Sequence, residues 1–109
     1  MSSISTHVLD TARGVPAEGL RITLFRNSGE QVATGITNAD GRIPGFIPDG
    51  VKLGAGTFRM HFDTGGYFAA HKTQGFYPYV DVVFELGSEG HYHIPLLLSP
   101  WGYSTYRGS

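Results

Sequence analysis

The sequence predicts an all-β fold: a two-sheet β-sandwich of about eight short strands with one short helix. Three observations carry this. Sixteen glycines and six prolines punctuate the chain at short intervals. Between them, apolar and polar residues alternate in short runs, the period of a half-buried strand. One segment, residues 64–72, lacks the alternation and carries Ala69-Ala70 in its middle.

The elements follow in order. Residues 6–10 form a first strand, ended by the loop Thr11-Ala12-Arg13-Gly14-Val15-Pro16. Residues 20–26 set Leu20, Ile22 and Leu24 against Arg21, Thr23 and Phe25, a strand with one buried face. Asn27-Ser28-Gly29 is a turn, and residues 31–37 a third strand. Asn38-Ala39-Asp40-Gly41 is a tight turn whose last glycine suits positive φ. A short strand is expected at residues 42–45, before a loop rich in Pro, Gly and Asp that runs to Gly56. Residues 57–63 alternate Phe58, Met60 and Phe62 with Thr57, Arg59 and His61. The non-alternating segment reads as a helix of about two turns, capped by Thr64 and stopped by Gly75. Residues 80–86 turn Val80, Val82, Phe84 and Leu86 inward, and Gly87-Ser88-Glu89-Gly90 is expected to close a hairpin into residues 91–98. Residues 102–106 form the last strand.

The chain reads as one domain, residues 1–109. It is long enough to bury a core unaided. With no cysteine, disulfides and thiolate metal sites are excluded. Eight basic and nine acidic residues leave a net charge of −1, which argues against nucleic acid or an anionic membrane as partner. No apolar run approaches a membrane span. The opening Met1-Ser2-Ser3-Ile4-Ser5-Thr6-His7 has neither the charge nor the apolar stretch of a signal peptide, so the expected compartment is the cytoplasm.

One surface stands apart from the rest. In residues 91–98, Tyr92, Ile94, Leu96 and Leu98 form the core face, so His91, His93, Pro95 and Leu97 look outward. His7 and Leu9 share a face of the first strand. An outward surface that mixes His7, Leu9, His93 and Leu97 is of the kind covered by an oligomer or a ligand. Pro95 removes a ladder donor, which suits a strand edge or a bulge. The closing Tyr106-Arg107-Gly108-Ser109 brings a phenol, a guanidinium and a terminal serine carboxylate next to this apolar strand. Such polar chemistry beside a core strand suggests a site.

Four stretches together carry a family resemblance: Thr6-His7-Val8-Leu9-Asp10-Thr11-Ala12-Arg13-Gly14, Gly41-Arg42-Ile43-Pro44-Gly45, residues 92–100, and the closing tetrapeptide. They resemble the 5-hydroxyisourate hydrolase family, the enzymatic relatives of transthyretin, over essentially the whole chain. The resemblance implies a transthyretin-like (prealbumin-like) sandwich assembled as a homotetramer, a dimer of dimers, with active sites in a channel on the outward sheet face. It implies ring opening of 5-hydroxyisourate, the product of urate oxidation, to 2-oxo-4-hydroxy-4-carboxy-5-ureidoimidazoline, with no cofactor. No two histidines stand at helical ligand spacing, and His-x-His at 91–93 is a weak metal signal, so no metal is expected. The resemblance places the catalytic roles on His7, Arg42, His93 and Ser109, and substrate binding on His7, Arg42, His93 and Tyr106.

These residue types suit that chemistry. Hydrolysis of a cyclic imide needs an activated water, charge stabilisation on a carbonyl and a proton for the leaving nitrogen. Histidine does acid and base work near neutral pH, and two histidines can divide it. Arginine offers a charged, forked donor to a developing oxyanion. Which histidine is the base stays open at this stage. A turn salt bridge to Asp40 or Asp49 is the plain structural alternative for Arg42. His61 and His71 read as surface residues, His91 as solvated or at most a residue behind the site or at the channel mouth, and Tyr77, Tyr79 and Trp101 as packing or interface aromatics. The competing functional class is a transthyretin-like small-molecule carrier without hydrolase activity. In transthyretin the positions matching His7, Arg42 and His93 hold other residue types, so their presence here favours the enzyme.

Overall fold

A computed structural model describes residues 2–108 and resolves them into two four-stranded sheets and one short helix. The strands are β1 (Ser2–Asp10), β2 (Val15–Pro16), β3 (Arg21–Arg26), β4 (Gln31–Ile36), β5 (Gly56–Phe62), β6 (Val80–Leu86), β7 (Gly90–Ser99) and β8 (Gly102–Thr105), with the helix α1 (Thr64–Ala70) between β5 and β6. One sheet runs β2-β1-β7-β8 and the other β4-β3-β5-β6.

Period-2 patterning builds the core. Ile4, Val8, Ile94, Leu96 and Leu98 from the first sheet meet Ile22, Leu24, Phe58, Met60 and Phe62 from the second, all buried. Each side chain of that size contributes about 1.5–3 kcal/mol by leaving water. The alternation that buries Ile4, Thr6, Val8 and Asp10 turns Ser3, Ser5, His7 and Leu9 to the opposite face of β1. The core side of β7 carries Ile94, Leu96 and Leu98, as its pattern required, and the face with His91 and His93 points out of the sandwich.

Four local expectations need correction. Residues 42–45 form no strand; the eighth strand is Val15–Pro16, which pairs with the end of β1. Gly87–Gly90 is not a hairpin turn. β6 pairs with β5 and β7 with β1 and β8, so this segment crosses from one sheet to the other. The helix is capped by Asp63, whose side chain accepts from the Gly66 N–H, and not by Thr64. It ends at Ala70 with His71 as its C-cap, and the left-handed residue that follows is Lys72, with φ 54°, and not Gly75. There the Lys72 N–H donates to the Ala69 carbonyl and the Thr73 N–H to the Phe68 carbonyl, closing the orphan carbonyls of the last turn.

Pro95 sits in β7, an interior strand, and not at an edge or bulge. Its carbonyl accepts from Thr105 Oγ1 at 2.7 Å, on the flank where β8 stops. The missing N–H of Pro95 faces the same flank, where the β7–β8 ladder is interrupted before it resumes in the same register at the His93–Gly108 bridge.

Two features fix the site's frame. β1 and β7 pair in parallel, with Ser3 opposite His91, Ser5 opposite His93 and His7 opposite Pro95. The turn 38–41 docks against β1 through the Val8 N–H, which donates to the Gly41 carbonyl at 2.9 Å. Gly41 has φ 74°, and a Cβ there would lie 2.3 Å from the Val8 carbonyl oxygen, so the position admits only glycine.

Candidate active site

Three segments carry the candidate residues to one patch of the outward face of the β1–β7 pair. His7 and His93 are diagonal neighbours across the parallel ladder. Arg42 follows the docked turn, its N–H donating to Asn38 Oδ1 and its carbonyl accepting from the Asn38 N–H. Of the described residues, Asp40 and Asp49 form no ion pair with Arg42, whose exposed side chain borders the groove along residues 2–6 of β1. Tyr106 follows β8 and lines, with His93, a cavity of about 180 Å³ at the sandwich edge. Ser109 lies outside the described residues.

His93 is gripped at two edges of its ring. Nδ1 lies 2.8 Å from Ser5 Oγ. On the opposite edge the chain end passes so close that a Cβ on Gly108 would lie 2.5 Å from Cδ2. The Gly108 N–H donates to the His93 carbonyl at 2.8 Å, which ties the tail to β7. The remaining ring nitrogen, Nε2, has no hydrogen-bond partner among the described residues. Burial, followed by the charges of Arg42, His7 and His91, lowers the His93 pKa below the usual histidine range. The ring is therefore neutral near pH 7 and can accept a proton.

His91 is not merely solvated, as its exposed position on the strand suggested. Its Nδ1 lies 2.6 Å from Ser3 Oγ and its Nε2 2.9 Å from Ser5 Oγ. Ser3, Ser5 and Gly108 are thus the residues that sequence reasoning missed. The two serines share the face of His7 by simple alternation, but only the parallel register, invisible in the sequence, puts them opposite the histidines.

The other histidines lie apart. His61 is half-buried and not a plain surface residue, with Nδ1 2.6 Å from Asp81 Oδ1 and its ring 4.9 Å from that of Tyr79. His71 is exposed near Arg13. Tyr77 packs edge-on against Tyr103 at 5.0 Å, and Trp101 lies near Phe76. Among the described residues no three His, Asp or Glu side chains converge as metal ligands would.

The β-sandwich, with two histidines and an arginine on the outer face of one sheet, defines a transthyretin-like class of protein. Comparison with known proteins agrees in both sequence and shape. Residues 4–108 match the HIUase/Transthyretin family, and the chain belongs to that family. It is 47% identical to 5-hydroxyisourate hydrolase of Mus musculus, over 99% of this chain and 96% of that protein. The structure of Klebsiella pneumoniae 5-hydroxyisourate hydrolase superposes with a TM-score of 0.90 at 41% identity, covering both chains fully. Sea bream transthyretin in complex with thyroxine superposes with a TM-score of 0.88 at 33% identity, over 96% of this chain and 93% of that one.

Proposed function

We propose that this protein is a 5-hydroxyisourate hydrolase acting in urate degradation, and that His7, Arg42, His93, Tyr106 and Ser109 form its site. The observation that carries the reading is the convergence of His7, Arg42 and His93 on one sheet face of a chain 47% identical to a hydrolase of that name. A hormone-carrying sandwich has no need of this set.

The geometry supports a division of the work. His93, held neutral, takes a proton from water at Nε2, which has no partner among the described residues, and so makes the attacking hydroxide. Arg42, unpaired with either neighbouring aspartate, offers its forked donors to the oxyanion that forms on the attacked carbonyl. His7, diagonal to His93, is placed to protonate the leaving nitrogen. Tyr106 borders the site from the chain end and orients the substrate.

Assembly belongs to the same reading. β6 and β8 are edge strands of their two sheets and meet along one flank, where the same small cavity opens between them. Val83 and Tyr103 lie exposed on these strands. Edge-to-edge pairing there gives a dimer. A second dimer laid over the face of His7, Leu9, His93 and Leu97 closes the channel as a homotetramer. No helix among the described residues is long and apolar enough to cross a membrane. A cytoplasmic location completes the reading, and microscopy of a tagged chain tests it.

The decisive assay generates 5-hydroxyisourate in place from urate and urate oxidase and follows its absorbance decay with and without the protein. Faster decay with wild type, lost in His93→Ala, supports the proposal; an unchanged decay refutes it. Light scattering in the same buffer tests the tetramer.

A further inference from the structure

We propose that Ser5 and His91 are positioning residues that form a proton relay from His93 to solvent. The inference rests on the proposed role of His93 and adds to it the route by which the site sheds a proton.

The geometry is a continuous chain: His93 Nδ1 to Ser5 Oγ at 2.8 Å, Ser5 Oγ to His91 Nε2 at 2.9 Å, and His91 Nδ1 to Ser3 Oγ at 2.6 Å. It runs from the half-buried His93 to the exposed His91. The parallel register explains it, since Ser3 and Ser5 lie directly opposite His91 and His93. A serine hydroxyl has one proton and sits here between two ring nitrogens, so it donates to one and accepts from the other. The state of one histidine therefore sets the tautomer of the other. When Ser5 donates to His91, it accepts from His93 Nδ1–H, which leaves the His93 Nε2 lone pair free as a base. When Ser5 donates to His93, Nε2 carries the proton.

The reaction needs an exit. Hydrolysis of a cyclic amide consumes one water. One of its protons goes to the leaving nitrogen, and the new carboxylic acid ionises at neutral pH, so one proton must leave the site per turnover. After Nε2 has taken a proton from water, His93 carries both N–H groups. Its Nδ1 proton passes to Ser5 as the Ser5 hydroxyl proton passes to His91 Nε2. His91, already exposed, gives a proton to buffer; exchange of the His93 Nε2 proton with solvent, matched by uptake of one at His91 and the reverse shift through Ser5, then restores the base tautomer with no further net change in protons. No electron or further reactant is needed. The other charged or titratable groups around His93 are His7, Arg42, Glu85, Tyr92, Tyr106 and Arg107, and none of them stands in this chain of contacts.

The test uses Ser5→Ala, Ser5→Thr and His91→Gln in the full chain. Ser5→Ala and His91→Gln should lower kcat by about tenfold or more in dilute buffer, with KM near wild type. Added imidazole should restore His91→Gln, because a mobile base replaces the missing one. Ser5→Thr, which keeps the hydroxyl, should retain most activity. Nitrogen NMR of the imidazoles gives an activity-free readout: His91 and His93 should titrate as a coupled pair in wild type and independently in Ser5→Ala. Wild-type kcat in His91→Gln, no imidazole rescue, or independent titration in wild type overturns the relay. An inactive wild type with coupled histidines overturns the hydrolase reading while leaving the relay standing. If Ser5→Ala misfolds by circular dichroism, the exposed His91→Gln decides alone.

Discussion

Replacing Gly108 by alanine tests how closely the chain end is fitted to His93. The added Cβ falls 2.5 Å from His93 Cδ2 and 3.1 Å from its Cβ and Cγ. Carbons in contact rest about 3.5–4.0 Å apart, so tail and ring must separate by about 1 Å. Both are tethered. The Gly108 N–H is bonded to the His93 carbonyl, and the ring is held by Ser5 on its other edge. A displacement of about 1 Å in a catalytic group costs on the order of 10² in rate, or about 2.7 kcal/mol of transition-state stabilisation. Gly108 fills no core position, so thermal stability should stay within about 0.5 kcal/mol of wild type. Steady-state decay of 5-hydroxyisourate, paired with thermal melting, reads both effects. Turnover within about twofold of wild type in a folded Gly108→Ala protein would refute the claim that the tail sets the ring.

Arg42→Lys keeps charge but loses the fork, so kcat should fall by about 10² or more, nearly as far as Arg42→Ala; a lysine variant close to wild type would reduce Arg42 to a turn anchor. The lowered His93 pKa means that the unfolded chain binds this proton more readily than the folded one, so stability contributed here is present above about pH 6.5 and is lost as pH falls through the ordinary and then the folded value. Denaturant titrations of wild type and His93→Gln from neutral to acid pH should show a shallower loss in the variant. Tyr67→Phe removes a hydroxyl that donates to the buried Asp10 Oδ2 at 2.7 Å, and should cost about 1–3 kcal/mol in urea unfolding with turnover unchanged.

The legible parts of the fold were those set by period and face. Residues 80–86 alternate cleanly and form β6 with those bounds. The outward placement of His7 and His93 followed from parity alone. The errors arose where one local signal serves two outcomes. Gly87-Ser88-Glu89-Gly90 has turn chemistry that fits a hairpin or a sheet crossover equally, and tertiary packing chose the crossover. Thr64 and Asp63 are both good caps, and the Gly66 N–H selected the carboxylate. Val15–Pro16 is a strand only because β1 offers its edge. Ser5, His91 and Gly108 were unreadable as a unit, because their contacts depend on the β1–β7 register and on the path of the tail after β8.

The parallel pairing of β1 with β7 also has a consequence for synthesis. Ser3 and Ser5 on β1 find their partners on β7 some 86 to 88 positions later, and the segment that seats His93 follows later still, after β8. The sheet β4-β3-β5-β6 is complete in sequence before β7 exists, so it can assemble while the ribosome is still at work. β1 must wait, its inner row of Ile4 and Val8 without Tyr92 and Leu96, until β7 has been made. A nascent or prematurely terminated chain therefore holds half a sandwich and no site, and exposes the edge of its first strand to chaperones and proteases. Competence arrives in one late step, when β7 and the segment after β8 reach β1.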